Sequence, residues 1–190
     1  MRIHRILPLS RANGPGARFT VWVQGCSRHC QGCFNPLTHD TMAGFEMSIR
    51  EIVESIPLEA AGVTISGGEP FEQPEELASL LEAVQETNLH TVVYTGFQFE
   101  ELKASQNAAV QRSLALMNVL IDGEYKEGVQ PVMPWTGSGN QRIIELNGDV
   151  FRTHNCHSMK DSVNDGEIII DNTGRIVATG FLNSACFQEG

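Results

Sequence analysis

The chain has 190 residues, 41% of them hydrophobic and 19% charged, which predicts one ordinary globular domain with a substantial core. Its formal net charge of -10 argues against nucleic acid or an anionic membrane as a partner, because both select a basic surface. No targeting segment is recognisable, and no apolar run approaches the roughly 20 residues that a membrane helix needs. We therefore expect a cytoplasmic protein with no membrane partner.

The first two thirds of the chain alternate between predicted strands and predicted helices. Short apolar runs rich in β-branched residues predict strands at 18–23, 62–66, 90–95 and 118–122. Helices are predicted between them. The first begins with a capping box of Ser48 and Glu51, the second begins near Pro74, and the third covers about 100–116. This order is typical of a parallel α/β sheet.

The suggestive polar and sulfur-bearing residues follow the ends of these strands. Cys26 follows the first strand, residues 67–69 the second and Thr95 the third, while Asp122 ends the fourth. Because the carboxyl ends of parallel strands meet at one edge of a sheet, we expect these residues to lie close together.

Three cysteines, Cys26, Cys30 and Cys33, share one loop with the spacing C-x3-C-x2-C. In a reducing compartment, clustered thiols favour metal or redox chemistry over disulfides. Four readings stay open from the residues alone. The first is a set of unliganded cysteines. The second is a zinc site whose fourth ligand would be His29 of the same loop or a distant Cys156, His157 or Cys186. The third is a ferredoxin-type cluster, which takes four cysteines, and the fourth is a four-iron cluster with three protein ligands. The last leaves one iron open for a substrate or cofactor.

The cysteine loop followed by Phe34, together with "SGGEP" at 66–70, resembles the signature of the radical S-adenosylmethionine (SAM) superfamily. The segments "NGPGARFTVWVQGCSRHCQGCFNPLTHD", "VVYTGF", "NVLIDGEY" and "WTGSGNQRII" are similar to successive parts of the activating enzymes of anaerobic ribonucleotide reductase. Pyruvate formate-lyase activating enzymes share a looser form. The resemblance implies a partial (β/α) barrel over residues 1–146. It leaves 147–190 as a C-terminal extension that packs on this core rather than forming an independent domain.

The resemblance also implies a chemistry. A 4Fe-4S cluster on Cys26, Cys30 and Cys33 would reductively cleave SAM, and the resulting radical would take a hydrogen atom from a substrate. The substrate would be a glycyl-radical enzyme such as anaerobic ribonucleotide reductase, and the electron donor a flavodoxin- or ferredoxin-type reductant. The residues implied to contact SAM are Gly32, Phe34, Gly67, Gly68, Glu69, Thr95, Asp122 and Asn140, and Gln141 is a further candidate.

Two other functions remain as alternatives. One is a radical SAM enzyme that modifies a peptide or a small metabolite, and the other is a non-catalytic zinc or iron–sulfur module. The first draws its support from the extension, where residues 166–181 predict a β-hairpin turning at 172–174. Apolar residues on both faces of each hairpin strand predict cover on both sides. Docked over the edge with the cysteines, such a hairpin would shape the substrate entrance. We expect a structural or incidental role, rather than a second metal site, for Cys156, His157 and Cys186, because two cysteines are too few for a four-cysteine cluster.

Overall fold

The computed structural model describes residues 1–147, 150–154, 166–170 and 176–180. Eight strands form one mixed sheet, with the spatial order β3-β1-β2-β4-β5-β6-β7-β8. The strands are β1 Arg2–Ser10, β2 Arg18–Val23, β3 Phe45–Glu46, β4 Gly62–Gly67, β5 His90–Tyr94, β6 Val119–Asp122, β7 Arg142–Asn147 and β8 Val150–His154. Strands β2, β4, β5 and β6 are parallel, and the outer strands run antiparallel to their neighbours. The α/β class is confirmed.

Among the described residues, four α-helices accompany the sheet: α1 Ile49–Glu54, α2 Pro74–Gln85, α3 Phe99–Ala104 and α4 Ala108–Leu116. The capping box that opens α1 is confirmed, because the Ser48 hydroxyl accepts from the Glu51 N–H and the Glu51 carboxylate accepts from the Ser48 N–H. The helical region predicted over about 100–116 is present, but it is divided into α3 and α4. Asn107 starts a new helix by accepting from the Ala109 N–H at 2.8 Å. Within the described ranges, no helix combines the length and apolarity needed to cross a bilayer.

Both faces of the parallel strands are covered. One face packs its apolar side chains against the helices, and its core includes Val21, Ile65, Val93, Leu120, Leu77, Leu80, Leu81, Val110 and Leu114. The opposite face is covered by the connection between β6 and β7, with Val92, Val119, Ile121, Met133 and Ile143 in contact. This two-sided burial explains why the central strands read as continuous apolar runs.

The sheet has two functionally different edges. We call the edge where β2, β4, β5 and β6 end the carboxyl edge, and the edge where they begin the amino edge. β1 runs antiparallel to β2, so Ser10, which pairs with Arg18, lies at the amino edge. The cysteine loop follows β2 and therefore lies at the carboxyl edge.

The predicted hairpin is present as β9 Gly166–Ile170 and β10 Ile176–Gly180, paired antiparallel. It docks at the amino edge, where the Glu167 carboxylate accepts from the Ser10 hydroxyl at 2.8 Å and Asn13 Nδ2 donates to Thr179 Oγ1 at 2.9 Å. Docking beside the cysteines was the condition under which the hairpin would shape the substrate entrance, and these contacts do not meet it.

The expected cover on both hairpin faces is also wrong. Ile168, Ile170 and Ile176 share one face, and their exposed fractions are 53%, 67% and 66%. Polar anchoring through Glu167 and Thr179 holds the opposite face instead. Cys156, His157 and Cys186 lie outside the described residues.

Candidate functional site

The cysteine loop curls back on itself directly after β2. His29 (φ 46°) and Gly32 (φ 70°) both adopt the left-handed conformation, which turns the chain twice within a few residues. Cys26 is buried, Cys30 and Cys33 are partly exposed, and all three are free thiols. The Cys33 N–H donates to the Cys30 carbonyl at 3.1 Å, which closes the second turn.

Peptide N–H groups of this loop point at two of the sulfurs. Burial raises the pKa of the Cys26 thiol, while backbone N–H groups of Arg28 and His29 oppose that shift. Burial also raises the pKa of Cys33, and the Asn35 N–H opposes it. N–H donors that converge on sulfur stabilise thiolates and tune iron–sulfur clusters, so the loop is suited to hold thiolates once a cation is present.

Neighbouring segments brace the loop. Glu72 accepts from both the backbone N–H (2.9 Å) and the hydroxyl (2.6 Å) of Ser27. On the other side, Gln24 Nε2 donates to the carbonyls of Leu37 and Asp40 at 2.9 and 2.6 Å. The cysteines are thus positioned from both flanks rather than hanging on a free loop.

The glycines after β4 are required for a backbone contact with the cysteine loop. The Gly68 N–H donates to the Val23 carbonyl and the Glu69 N–H to the Gly25 carbonyl, both at 2.8 Å. A Cβ on Gly68 would lie 2.1 Å from the Gly25 oxygen, and one on Gly67 (φ 111°) would lie 2.4 Å from the Val23 nitrogen. The resemblance implied that both glycines contact SAM, and the space that a Cβ would take at each of them is filled by the end of β2 and by the loop.

Glu69 is a buried carboxylate at the base of the site, with 1% of its surface exposed. Its Oε1 accepts from the Thr95 hydroxyl (2.9 Å) and the Phe71 N–H (3.0 Å), and its Oε2 accepts from the Gly96 N–H (2.8 Å). Burial raises the pKa of Glu69 to about 7, although these hydrogen bonds and the charge of Arg28 lower it in part. A ligand ammonium would favour the ionised form, so this carboxylate suits a cationic ligand group.

The loop, the glycine segment and the ends of β5 and β6 line one open cleft. Eight of the predicted site residues line it: Cys26, Cys30, Cys33, Phe34, Gly67, Gly68, Glu69 and Thr95. The expectation that residues at the strand ends lie close together is confirmed for this group.

Three of the predicted site residues do not line the cleft. Asp122 is fully buried and binds the Phe99 N–H and the guanidinium of Arg142, so its carboxylate supports the fold rather than a ribose. Gly32 is not among the lining residues, and a Cβ there would lie 2.5 Å from the Glu127 side chain. Asn140 donates to the Glu124 carbonyl at 2.9 Å, and its neighbour Gln141 lines the cleft instead.

Several cleft residues were not found from the sequence, notably Arg28, His39, Tyr94 and Tyr125. Tyr125 packs edge-to-face on Phe34, with ring centroids 5.2 Å apart. "GEY" directly after the fourth predicted strand was a usable signal, because residues there reach the same edge. No local sequence pattern indicated His39, which reaches the cleft only through the folding of the chain after the cysteine loop.

In the part of the chain that the structure describes, no three Cys, His, Asp or Glu side chains converge where they could hold a single metal ion. A cluster makes a different demand, since its thiolates bind separate irons.

Comparison with known proteins identifies the family. The 4Fe-4S single cluster domain family matches residues 12–144. The anaerobic ribonucleoside-triphosphate reductase-activating proteins of Salmonella typhi and Escherichia coli (strain K12) are each 32% identical to this chain over 158 residues, which covers 77% of the chain and 99% of the relative. The protein of the same name from Enterobacteria phage T4 is 31% identical over 160 residues, covering 80% and 99%. The chain therefore belongs to the family of anaerobic ribonucleoside-triphosphate reductase-activating proteins.

Proposed function

We propose that this chain is a radical SAM enzyme that installs a glycyl radical on an anaerobic ribonucleotide reductase. The observation that carries the proposal is the single cleft that unites Cys26, Cys30 and Cys33 with Glu69. The names of its relatives supply the partner. The partial (β/α) barrel over residues 1–146 and the role of 147–190 as an addition to it belong to the same proposal.

Each part of the cleft has a role in this chemistry. The three thiolates would hold the cluster, and their burial together with the N–H groups around Cys26 and Cys33 would set its potential. When bound, the cluster would supply one electron that cleaves the sulfonium C–S bond of SAM into methionine and a 5′-deoxyadenosyl radical, which takes a hydrogen atom from the partner's glycine. Glu69 would bind the methionyl ammonium.

The other walls position the nucleoside and restrict water. Phe34 and Tyr125 form an aromatic pair at the mouth of the cleft, suited to contact an adenine. Gln141 is fixed by accepting from the Gly137 N–H at 2.7 Å and donating to the Gly123 carbonyl at 2.9 Å. A side chain held in this way positions a ligand without losing further conformational entropy.

The alternative substrate, a peptide or small metabolite, drew its support from an extension placed over the cleft. The hairpin lies at the amino edge instead, so that support is gone. We therefore propose no second function.

The test is to mix the anaerobically reconstituted protein with its organism's anaerobic ribonucleotide reductase, SAM and dithionite. The expected result is a glycyl-radical electron paramagnetic resonance signal on the reductase that needs all four components. A control reductase with its radical glycine replaced by alanine should give none. Cleavage of SAM without any signal on the reductase would overturn the partner assignment while leaving the radical SAM chemistry intact.

A further inference from the structure

Arg28 holds a fixed position inside the cleft. It lies between the first two cysteines, and its guanidinium carbon is 4.7 Å from the centre of the Phe97 ring. A Cβ on Gly96 would lie 2.4 Å from Arg28 Nε, so the side chain passes directly over the Gly96 α-carbon. Phe97 and Gly96 thus fix the guanidinium, and a larger residue at 96 would displace it.

The hydrogen-bonding capacity of this guanidinium is not used within the described residues. Arg28 Nε is buried and has no hydrogen-bond partner there. Its nearest carboxylate is that of Glu124, with Nη2 and Oε2 3.8 Å apart, too far for a hydrogen bond. A buried N–H without a partner is costly, which indicates that an acceptor from outside the described residues completes it.

An opposite charge lies on the other side of the same residue. The Gly96 N–H donates to Glu69 at 2.8 Å, while Arg28 covers its α-carbon. Both side chains line the cleft, and they do not neutralise each other through a direct ion pair in the described structure. A carboxylate and a guanidinium on two sides of one glycine match a ligand that carries an ammonium and a carboxylate on one carbon.

We propose that Arg28 binds the methionyl carboxylate of SAM while Glu69 binds its ammonium, so that the two side chains together recognise the α-amino acid end. This inference rests on the proposed function, because it takes SAM as the ligand. It makes Arg28 a positioning residue: with its amino acid end fixed at both charges, the methionyl group cannot rotate, and the sulfonium keeps one orientation toward the cysteine loop. Guanidinium geometry favours such a role, since its planar fork binds a carboxylate through two hydrogen bonds.

The test measures binding rather than turnover. Equilibrium dialysis under nitrogen, with cluster-loaded protein, compares SAM with its decarboxylated analogue, which keeps the amine and the sulfonium but lacks the carboxylate. Arg28→Gln should weaken SAM binding about 10- to 100-fold, the value of a charge-assisted hydrogen bond, and leave the affinity for the analogue nearly unchanged. Arg50→Gln makes the same change at an exposed position on α1 and should alter neither affinity.

Two further variants separate ligand binding from a structural role. If Arg28→Gln loads less iron than the wild type, Arg28→Lys is used in its place, because lysine keeps the positive charge but cannot form the paired hydrogen bonds of a guanidinium. It should weaken SAM binding several-fold, again without effect on the analogue. Glu124→Gln should leave the affinity for SAM equal or higher, because Glu124 attracts the same guanidinium.

The outcomes are distinct. Equal losses for SAM and the analogue, or no loss for either, would overturn the role of Arg28 while SAM binding by the wild type upholds the proposed function. A selective loss in Glu124→Gln as large as that in Arg28→Gln would assign the effect to their ion pair and also overturn it. If the cluster-loaded wild type binds no SAM at all, the proposed function itself fails.

Discussion

Replacing Glu69 by glutamine should remove a pH-dependent loss of stability. Burial raises the pKa of Glu69 from 4.5 to about 7. The folded protein therefore holds this proton at pH values where the unfolded chain has released it, and folding is favoured most at low pH. The free energy of unfolding should fall as the pH rises from about 4.5 through about 7 and then stay level, by about 3 kcal/mol at about 1.4 kcal/mol per unit.

Glutamine is neutral throughout this range, so the fall should disappear in the variant. It also carries a constant cost, since its amide nitrogen must face either the Gly96 N–H or the pair formed by Thr95 and Phe71. A buried donor left without an acceptor costs about 1–3 kcal/mol. The variant should therefore be less stable than the wild type at low pH, and this difference in the free energy of unfolding should shrink as the pH rises.

The assay is urea unfolding of the reduced, cluster-free protein under nitrogen, at several values between about pH 5 and pH 8. Glu76→Gln changes an exposed glutamate of α2 and serves as the control that should keep the wild-type profile. Parallel profiles for the wild type and Glu69→Gln would refute the assignment of a raised pKa to this carboxyl.

Three further changes have defined outcomes. Gly68→Val should prevent iron loading, because its Cβ would lie 2.1 Å from the Gly25 oxygen. Gly128→Ala, at φ 78° but with nothing within 4 Å, should cost only local backbone strain and load normally; equal iron contents would contradict this. Asp122→Asn should lower the free energy of unfolding by about 3 kcal/mol, since it breaks a buried ion pair, and a loss below about 1 kcal/mol would show that the pair is unimportant. Deleting residues 164–190 should preserve SAM cleavage and activation of the partner, because the hairpin binds the amino edge; a truncated protein that cannot activate its partner would argue for a role of the extension at the cleft.

The parts of the fold that were predictable depend on local signals. Continuous apolar runs marked β2, β4, β5 and β6, and the Ser48 capping box marked the start of α1. Once the strands were known to be parallel, their carboxyl ends had to meet, which brought the cysteines, Glu69 and Thr95 into one cleft. No knowledge of long-range contacts was needed for that step.

β1 was missed because its alternation is broken. Register shifts between Ile3 and Arg5, and again between Leu7 and Ser10, interrupt the two-residue period. Arg5 also puts a charged residue within the strand, where its guanidinium stacks on Trp22 at 4.4 Å from the ring centre. A sequence pattern based on alternation cannot recognise a strand whose register changes twice.

Other errors arose from partners far away in sequence. The resemblance implied that Asp122 contacts SAM, but Arg142 arrives from the next strand and pairs with its carboxylate. The docking of the hairpin depends on Glu167 and Ser10, which lie 157 residues apart. Nothing in the local sequence of either residue specifies that contact, whereas Asn107 was a readable N-cap that a closer look at cap residues would have found.

The most direct measurement of the central claim is the yield of 5′-deoxyadenosine. Wild-type protein and Cys30→Ala are reconstituted with iron and sulfide under nitrogen, reduced with dithionite and supplied with SAM. We predict that the wild type forms 5′-deoxyadenosine and methionine in equal amounts, and that Cys30→Ala, with one of three ligands lost from the loop, binds little iron and forms neither. Iron-replete wild type that forms no 5′-deoxyadenosine, or a Cys30→Ala variant that forms as much, would contradict the assignment of a cluster and SAM to this cleft.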